Sequence, residues 1–521
     1  MNNFLNSMKR EANFTTTENG ATALKSTNNY CLDAFGSLGA MRKSNEEDII
    51  STFSKAYAEN TELALRMLFY IRDIRGGQGE RRIFRILLKW LAENHSEAVV
   101  SNLENILFYG RGDDYLCLLD TSVKNKVIDF IKAQIISDTT AVRYDTNNCS
   151  LLAKWLPSIN TSSPQTKRYA NILCKGFGIT PREYRKLLSR IRAYLNVVER
   201  KMSAREWRDI NYSAVPAKAA MNYSDAFFTH DEVGYTNYIQ KVAEGKAKIN
   251  AKSLFPVDIV HSVLTDCSFS ARKDIILNDA RWKALPDYFK DREESAICMV
   301  DTSGSMRGTP YEVAVSLGLY CADKCSGPFK NHFITFAETP HLVEVVGKNI
   351  YEKVTNLLTI NAGNTDIEAA FQLILDAAVA GHCTQDEIPS KLYIISDMQF
   401  DEARGERARY WGFGSDRCAQ KLTFMERMRE KFAENGYTMP AIVYWNVRAS
   451  KNGMFQDTVD GENVAMVSGY SPSLFEAVIK GTTYEETVNE CGEKVVKEKI
   501  DPITVMVNTL MDERYDRVVI V

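Results

Sequence analysis

Asp301-Thr302-Ser303-Gly304-Ser305 sets a carboxylate and hydroxyls into a tight Gly/Ser turn, after the apolar run Ser295 to Val300 and before an amphipathic segment from about 310 to 325. Oxygen donors of this kind suit a hard divalent cation. Magnesium in particular keeps several waters and accepts only one or two carboxylates. Sixty residues on, Asn361-Ala362-Gly363-Asn364-Thr365-Asp366 brings a second hydroxyl loop ahead of another helical pattern, and the run Lys391 to Ser396 ends in Asp397. Three loops, each closing a strand or opening a helix, can therefore meet at one rim.

Other reactive constellations are missing from the sequence. His332, His341 and His382 accompany no recognisable nucleophile motif, and no positioned base is identifiable for metal-assisted hydrolysis, so a non-catalytic protein is expected. Gly76-Gly77-Gln78-Gly79 lacks the Gly-Lys-Ser/Thr ending of a phosphate-binding loop and reads as helix punctuation. In Arg111-Gly112-Asp113 the aspartate reads as a helix N-cap. The 11 cysteines occur without the paired short spacings of zinc ribbons, and Cys321 and Cys325, one helical turn apart, read as shared core.

The elements that position these residues fall into two grammars. After a polar arm over 1–30, residues 31–290 read as helix after helix. Leu63, Met67 and Tyr70 share one stripe, and Ile83, Phe84, Ile86, Leu87, Leu88, Trp90 and Leu91 repeat the pattern after the glycine break. Further helices are expected at roughly 97–108, 113–120, 123–137, 165–175, 181–200, 203–210, 235–246 and 270–284. Short polar turns between such helices suggest an all-α solenoid of the HEAT kind, and ~40–47 residues per repeat allows about six units. Residues 291–521 instead alternate apolar strands with helices, the pattern of a doubly wound α/β domain with a buried, mainly parallel sheet.

Asp301, Ser303, Ser305, Thr365 and Asp397 resemble, in order, all five positions of the metal-ion-dependent adhesion site of von Willebrand factor A domains. The resemblance implies that Ser303, Ser305 and Thr365 supply oxygens to Mg2+, or to another divalent cation such as Mn2+, while Asp301 and Asp397 act largely through water. It also implies a sixth position for an acidic group on a protein partner.

Charge divides with the grammar. The whole chain of 521 residues carries a formal −3, but residues 1–290 hold 41 Lys+Arg against 32 Asp+Glu, and the remainder holds 23 against 35. A basic half favours polyanions and an acidic half favours cations. Two clusters concentrate the positive charge: Arg72, Arg75, Arg81, Arg82 and Arg85 around the glycine turn, and Arg182, Arg185, Lys186, Arg190, Arg192, Lys201, Arg205 and Arg208 further on. Such faces suit backbone phosphates, and nearby aromatics can stack on unpaired bases, so these thirteen residues are the candidates for contact with RNA. The bland alternative is a solvated helix face held by local ion pairs.

Six segments are similar to an uncharacterised family of plants, microbes and large DNA viruses that joins a HEAT-like region to a C-terminal von Willebrand A domain. They are Asp73-Ile74-Arg75-Gly76-Gly77-Gln78-Gly79-Glu80-Arg81, Tyr109-Gly110-Arg111-Gly112-Asp113-Asp114, Lys154-Trp155-Leu156-Pro157-Ser158, Tyr194-Leu195-Asn196-Val197-Val198-Glu199, Asp209-Ile210-Asn211-Tyr212-Ser213-Ala214-Val215-Pro216 and Leu254-Phe255-Pro256. In architecture that family resembles the Ro autoantigen proteins, whose TROVE domain forms a helical ring for small non-coding and defective RNAs. The resemblance implies an RNA-binding protein. A protein-interaction scaffold without RNA, binding a partner carboxylate through the metal site, is the alternative. The N-terminus has no basic, apolar leader pattern and no run of 18 apolar residues occurs, so a soluble, cytoplasmic protein without membrane partners is expected. No feature of the sequence fixes the oligomeric state. The segment 401–416, rich in arginine and aromatics, is expected either to contact a ligand above the metal site or to pack as a surface insertion.

Overall fold

A computed structural model describes residues 8–9, 11–265, 272–290, 295–336, 340–357, 366–401, 424–450, 454–488 and 494–521. Two compact units emerge. One comprises 1–45, 51–63 and 254–510 and contains the sheet; the other comprises 46–50, 64–253 and 511–521 and is helical.

The α/β unit is built on six strands. They are β3 (Ala296–Asp301), β4 (His332–Phe336), β5 (His341–Glu344), β6 (Lys391–Ser396), β7 (Ala441–Asn446) and β8 (Val464–Ser468), preceded in the chain by a small hairpin of β1 (Phe14–Thr16) and β2 (Thr22–Leu24). Their order is β5-β4-β3-β6-β7-β8. Every neighbour pair is parallel except β4 and β5. Strands β3, β6, β7 and β8 are buried along their whole length, as expected of apolar runs in a sheet covered on both faces.

One face packs Met299, Ile394 and Ile442 against Phe371 and Phe432 of the helices Ile367–Ala380 and Phe424–Glu434. Toward the other, Phe475 gathers Trp445, Tyr393 and Phe289 at ring-centroid distances of 4.8, 4.9 and 5.0 Å. Gly318 lets the helix Thr309–Lys324 approach β3, since a Cβ there would stand 2.4 Å from Val300 Cγ2.

The units cut across the expected division into 1–30, 31–290 and 291–521. The helix Pro256–Thr265 buries Ile259, Val260 and Val263 and packs on Thr309–Lys324, so it belongs with the sheet. The N-terminal arm belongs there too. Leu24 bridges to Phe455, and Gly39 lies so close to β8 that a Cβ would fall 2.3 Å from the Ser468 carbonyl oxygen. Met511–Val521 instead join the helices: Tyr515 stacks on Tyr109 at 5.5 Å, and the Arg514 guanidinium pairs with the buried Asp73 carboxylate.

In the helical unit, the regular elements from Arg82–Asn94 to Glu232–Ala243 are all α or 3-10 helices. Proline and N-cap chemistry set two of them. Ser163 caps Pro164–Phe177, and Thr180 with Glu183 forms a capping box at the start of Pro181–Tyr194. The helix expected over 97–108 breaks at Asn102 into Ser96–Ser101 and Leu103–Tyr109, because the Asn102 amide donates to the Ala98 and Val519 carbonyls. The helix expected over 181–200 stops at Tyr194 and resumes at Val198. Among the described residues no helix is long and apolar enough to cross a membrane.

Candidate functional site

The β3 and β6 strands are neighbours, with β4 and β5 on one side and β7 and β8 on the other. Ligand sites of open parallel sheets sit at the carboxyl ends of strands where the order reverses in this way. Asp301 ends β3 and Asp397 follows β6 at that point, both buried. The Asp301 carboxylate accepts the Ser303 N–H at 2.9 Å and the Ser396 hydroxyl at 2.5 Å. Ser303 Oγ and Ser305 Oγ stand 3.0 Å apart. Asp397 accepts the Gln399 N–H at 3.2 Å. Four of the five residues expected at the rim are thus brought together. Thr365 lies outside the described residues, next to Asp366, whose carboxylate caps the helix that starts at Ile367.

The electrostatics of this rim suit a cation. Burial and the neighbouring charge of Asp397 push the Asp301 carboxyl up to about 7, and burial raises Asp397 as well. Two adjacent buried carboxylates repel unless a positive charge lies between them or one keeps its proton. Thr302 Oγ1 is buried and has no hydrogen-bond partner among the described residues. Carboxylate with hydroxyl oxygens is a hard donor set, and the residues present fit a small divalent ion. Among the described residues no group of three or more His, Cys, Asp or Glu gathers.

Two features of this rim escaped the sequence analysis. Arg448, just beyond β7, donates to the Ser305 carbonyl oxygen and places its guanidinium 3.8 Å from Asp397. The N-terminal arm runs along the end of β6: Thr17 Oγ1 donates to the Phe400 carbonyl, the Glu18 N–H to Gln399 Oε1 and Asn19 Nδ2 to the Gln399 carbonyl, each at 2.7 Å. Glu18 adds to the negative potential that raises Asp397. No local pattern announced either contact, because each joins segments more than fifty residues apart. The segment 402–416 lies outside the described residues.

The arginine clusters of the helical unit separate into two kinds. Arg72 is buried and its Nε donates to Asp114 at 2.7 Å; Arg85 Nε donates to the other oxygen of the same carboxylate, also at 2.7 Å. Arg85 pairs with Asp113 too, at 2.9 Å. Arg192 gives all three of its donor nitrogens to Ala153 O, Leu156 O and Ser158 Oγ. Arg72, Arg85 and Arg192 are thus engaged by oxygens of the protein itself. Lys201 donates to the Asp209 carbonyl, and Arg75 reaches the Phe108 carbonyl at 3.4 Å. By contrast Arg182, Arg185, Lys186, Arg190, Arg205 and Arg208 are exposed, as are Arg81 and Arg82. Among the described residues Arg182, Arg185 and Arg190 have no carboxylate partner.

Two cavities draw the clusters together. The larger, about 690 Å³, is lined by Lys154, Trp155, Arg185 and Arg200 among others; the smaller, about 480 Å³, by Arg81, Arg82, Lys89 and Tyr169. Thr166, in the first turn of Pro164–Phe177, lines both. Lys89, Lys154 and Trp155 were absent from the expected contacts, since sequence distance alone gives no hint that they face Arg82 and Arg185. Asp113 borders the smaller cavity; burial alone would raise its carboxyl, but the hydrogen bonds and charges of Arg111 and Arg85 bring it down to about 2.

Comparison with known proteins gives matches along most of the chain. A family model described as a domain of unknown function (DUF7788) matches residues 295–510, and a second domain of unknown function (DUF2828) matches 17–110 and 177–294. The chain is 30% identical over 510 residues to "Uncharacterized protein L728" of Acanthamoeba polyphaga mimivirus, covering 91% of this chain and 86% of that protein. Among solved structures, the Deinococcus radiodurans RO (RSR) protein aligns over 93% of each chain with a TM-score of 0.37 and 13% identity.

Proposed function

The chain belongs to the family of the mimivirus protein L728, and we propose that it is a non-catalytic RNA-binding protein whose α/β unit carries a separate, Mg2+-dependent site for an acidic group of a protein partner. One observation carries the RNA reading: two basic clusters distant in sequence line adjoining cavities that share Thr166. Arg81, Arg82 and Lys89 line one side, and Lys154, Arg185 and Arg200 the other. Basic side chains gathered at a concave surface attract a polyanion, whereas Arg72 and Arg85 are closed off by the Asp114 carboxylate.

The metal reading is supported by the meeting of Asp301, Ser303, Ser305 and Asp397 at the strand ends. An ion bound there supplies a positive charge that an incoming carboxylate can ligate. The chain's own residues fix the rim: Ser396 and the Ser303 amide orient Asp301, and the Gln399 amide orients Asp397.

Filter binding at low salt tests the RNA reading. Wild-type protein should retain RNA, and reversal of Arg182, Arg185, Lys186 and Arg190 to Glu should weaken retention. No retention by the wild type at low salt overturns it. In that event the rim geometry favours the scaffold reading, in which Asp301→Ala abolishes capture of a carboxylate-bearing protein partner.

A further inference from the structure

We propose that the larger cavity is a stacking pocket for one unpaired nucleotide, with Trp155 as its platform, so that the ligand class is single-stranded RNA rather than duplex. This rests on the RNA reading above and narrows it. Trp155 closes the short helix Leu152–Trp155, is half-buried and lines the cavity. The Arg111 guanidinium lies over its ring at 4.0 Å, and Lys154 Nζ stands 5.2 Å from the ring centroid. Arg111 is itself clamped, with Nε and Nη2 donating to the two oxygens of Asp113 at 2.9 and 2.6 Å. The indole is therefore braced by a fixed cation, and a base stacking on the ring from the cavity would complete an Arg–Trp–base stack. Such an arrangement costs little ordering on binding, because the platform is already in place.

Four basic side chains and one carboxylate, Glu199, line the cavity. Lys154 and Arg200 can meet the flanking phosphates, and Arg185 projects into the cavity from a helix that carries Arg182 and Arg190 as well. Ser158 and Asn160 add neutral polar groups to the wall, suited to the edge of a base. A volume of about 690 Å³ falls in the range of small-ligand sites. Paired strands turn their bases inward and stack them on one another, so a duplex offers no free base face to the indole.

The test uses the full-length protein and a fluorescently labelled uridine-rich RNA dodecamer, alone or annealed to its complement, at low salt. Single strands should bind and should quench tryptophan fluorescence; the annealed form should bind more weakly. Trp155→Ala should weaken binding of the single strand about 5- to 150-fold, the range for loss of one base–aromatic stack. Trp155→Phe should keep most of the affinity while losing the quenching component. The phenylalanine variant, checked by circular dichroism, guards against an alanine variant that fails to fold. Single-strand affinity undiminished in a folded Trp155→Ala protein, or equal affinity for the duplex, overturns the stacking pocket and leaves the RNA reading intact. Absence of any RNA binding by the wild type overturns both.

Discussion

If phosphates are held at the two cavities, the salt dependence of RNA binding is set by cations that can be counted. Eight basic side chains line them: Lys154, Arg185, Arg192 and Arg200 in the larger, and Arg81, Arg82, Arg85 and Lys89 in the smaller. Arg192 is fully engaged by protein oxygens and Arg85 by Asp113 and Asp114, and the other six are counted as phosphate contacts. Arg81 and Arg200 are themselves exposed and make only long ion pairs, of 3.9 and 4.0 Å. For a single strand, log K falls with log salt at ~0.7 per phosphate neutralised, giving a slope of about −4 and a loss of about 300-fold between 50 and 200 mM salt. Replacing Lys154, Arg185 and Arg200 by alanine together should flatten the slope to about −2 and reduce that loss to about 20-fold. Fluorescence anisotropy across a salt series measures both slopes. A slope unchanged in the folded triple variant would place the phosphates elsewhere and refute the assignment.

Three other outcomes follow from the same geometry. Asp114→Ala should destabilise the helical unit by ~3–5 kcal/mol in thermal unfolding, because it leaves Arg72 buried without its carboxylate. The folded-state pKa of Asp113 lies at about 2 against an ordinary 3.8, so its contribution is fully present above pH 3.8 and lost as pH falls toward 2. Asp113→Asn should therefore remove up to ~2–3 kcal/mol of acid sensitivity across that window, read by circular dichroism during acid titration. Finally, Mg2+ at about 100 times its dissociation constant should stabilise the α/β unit by ~2.7 kcal/mol in calorimetry, and Asp301→Ala should abolish the shift.

The sheet and its rim were largely legible in the sequence because their signals are local. Strands β3 and β6 are built on continuous apolar runs, and Asp301 and Asp397 stand at their ends, so the place of both carboxylates is read with the strands. What escaped has weaker or non-local signals. The edge strand β5 is short and mostly exposed, so no apolar run marks it. The Thr482–Val488 and Lys494–Ile500 hairpin is rich in charged residues and likewise lacks an apolar run. The docking of Met511–Val521 on the helices depends on Asp73 and Tyr109, hundreds of residues earlier, and no periodicity in the tail itself encodes it.

The arginines show why a charge map misleads without the fold. Arg72, Arg82 and Arg85 sit within fourteen residues and look equivalent in sequence, yet Arg72 is buried on Asp114, Arg85 bridges Asp113 and Asp114, and Arg82 faces a cavity. The carboxylates that sort them lie about thirty to forty residues downstream, in the 3-10 helix Gly112–Asp120. That same short helix also fixes the indole platform, since Asp113 clamps Arg111 and Arg111 covers Trp155. Removing Asp113 should therefore act on two properties at once: it loosens Arg85 in the scaffold and frees the guanidinium behind the platform. A variant that keeps the scaffold but frees the platform, Arg111→Ala, separates them. It should lower single-strand affinity while leaving the salt slope near −4, because stacking contributes affinity without releasing counterions.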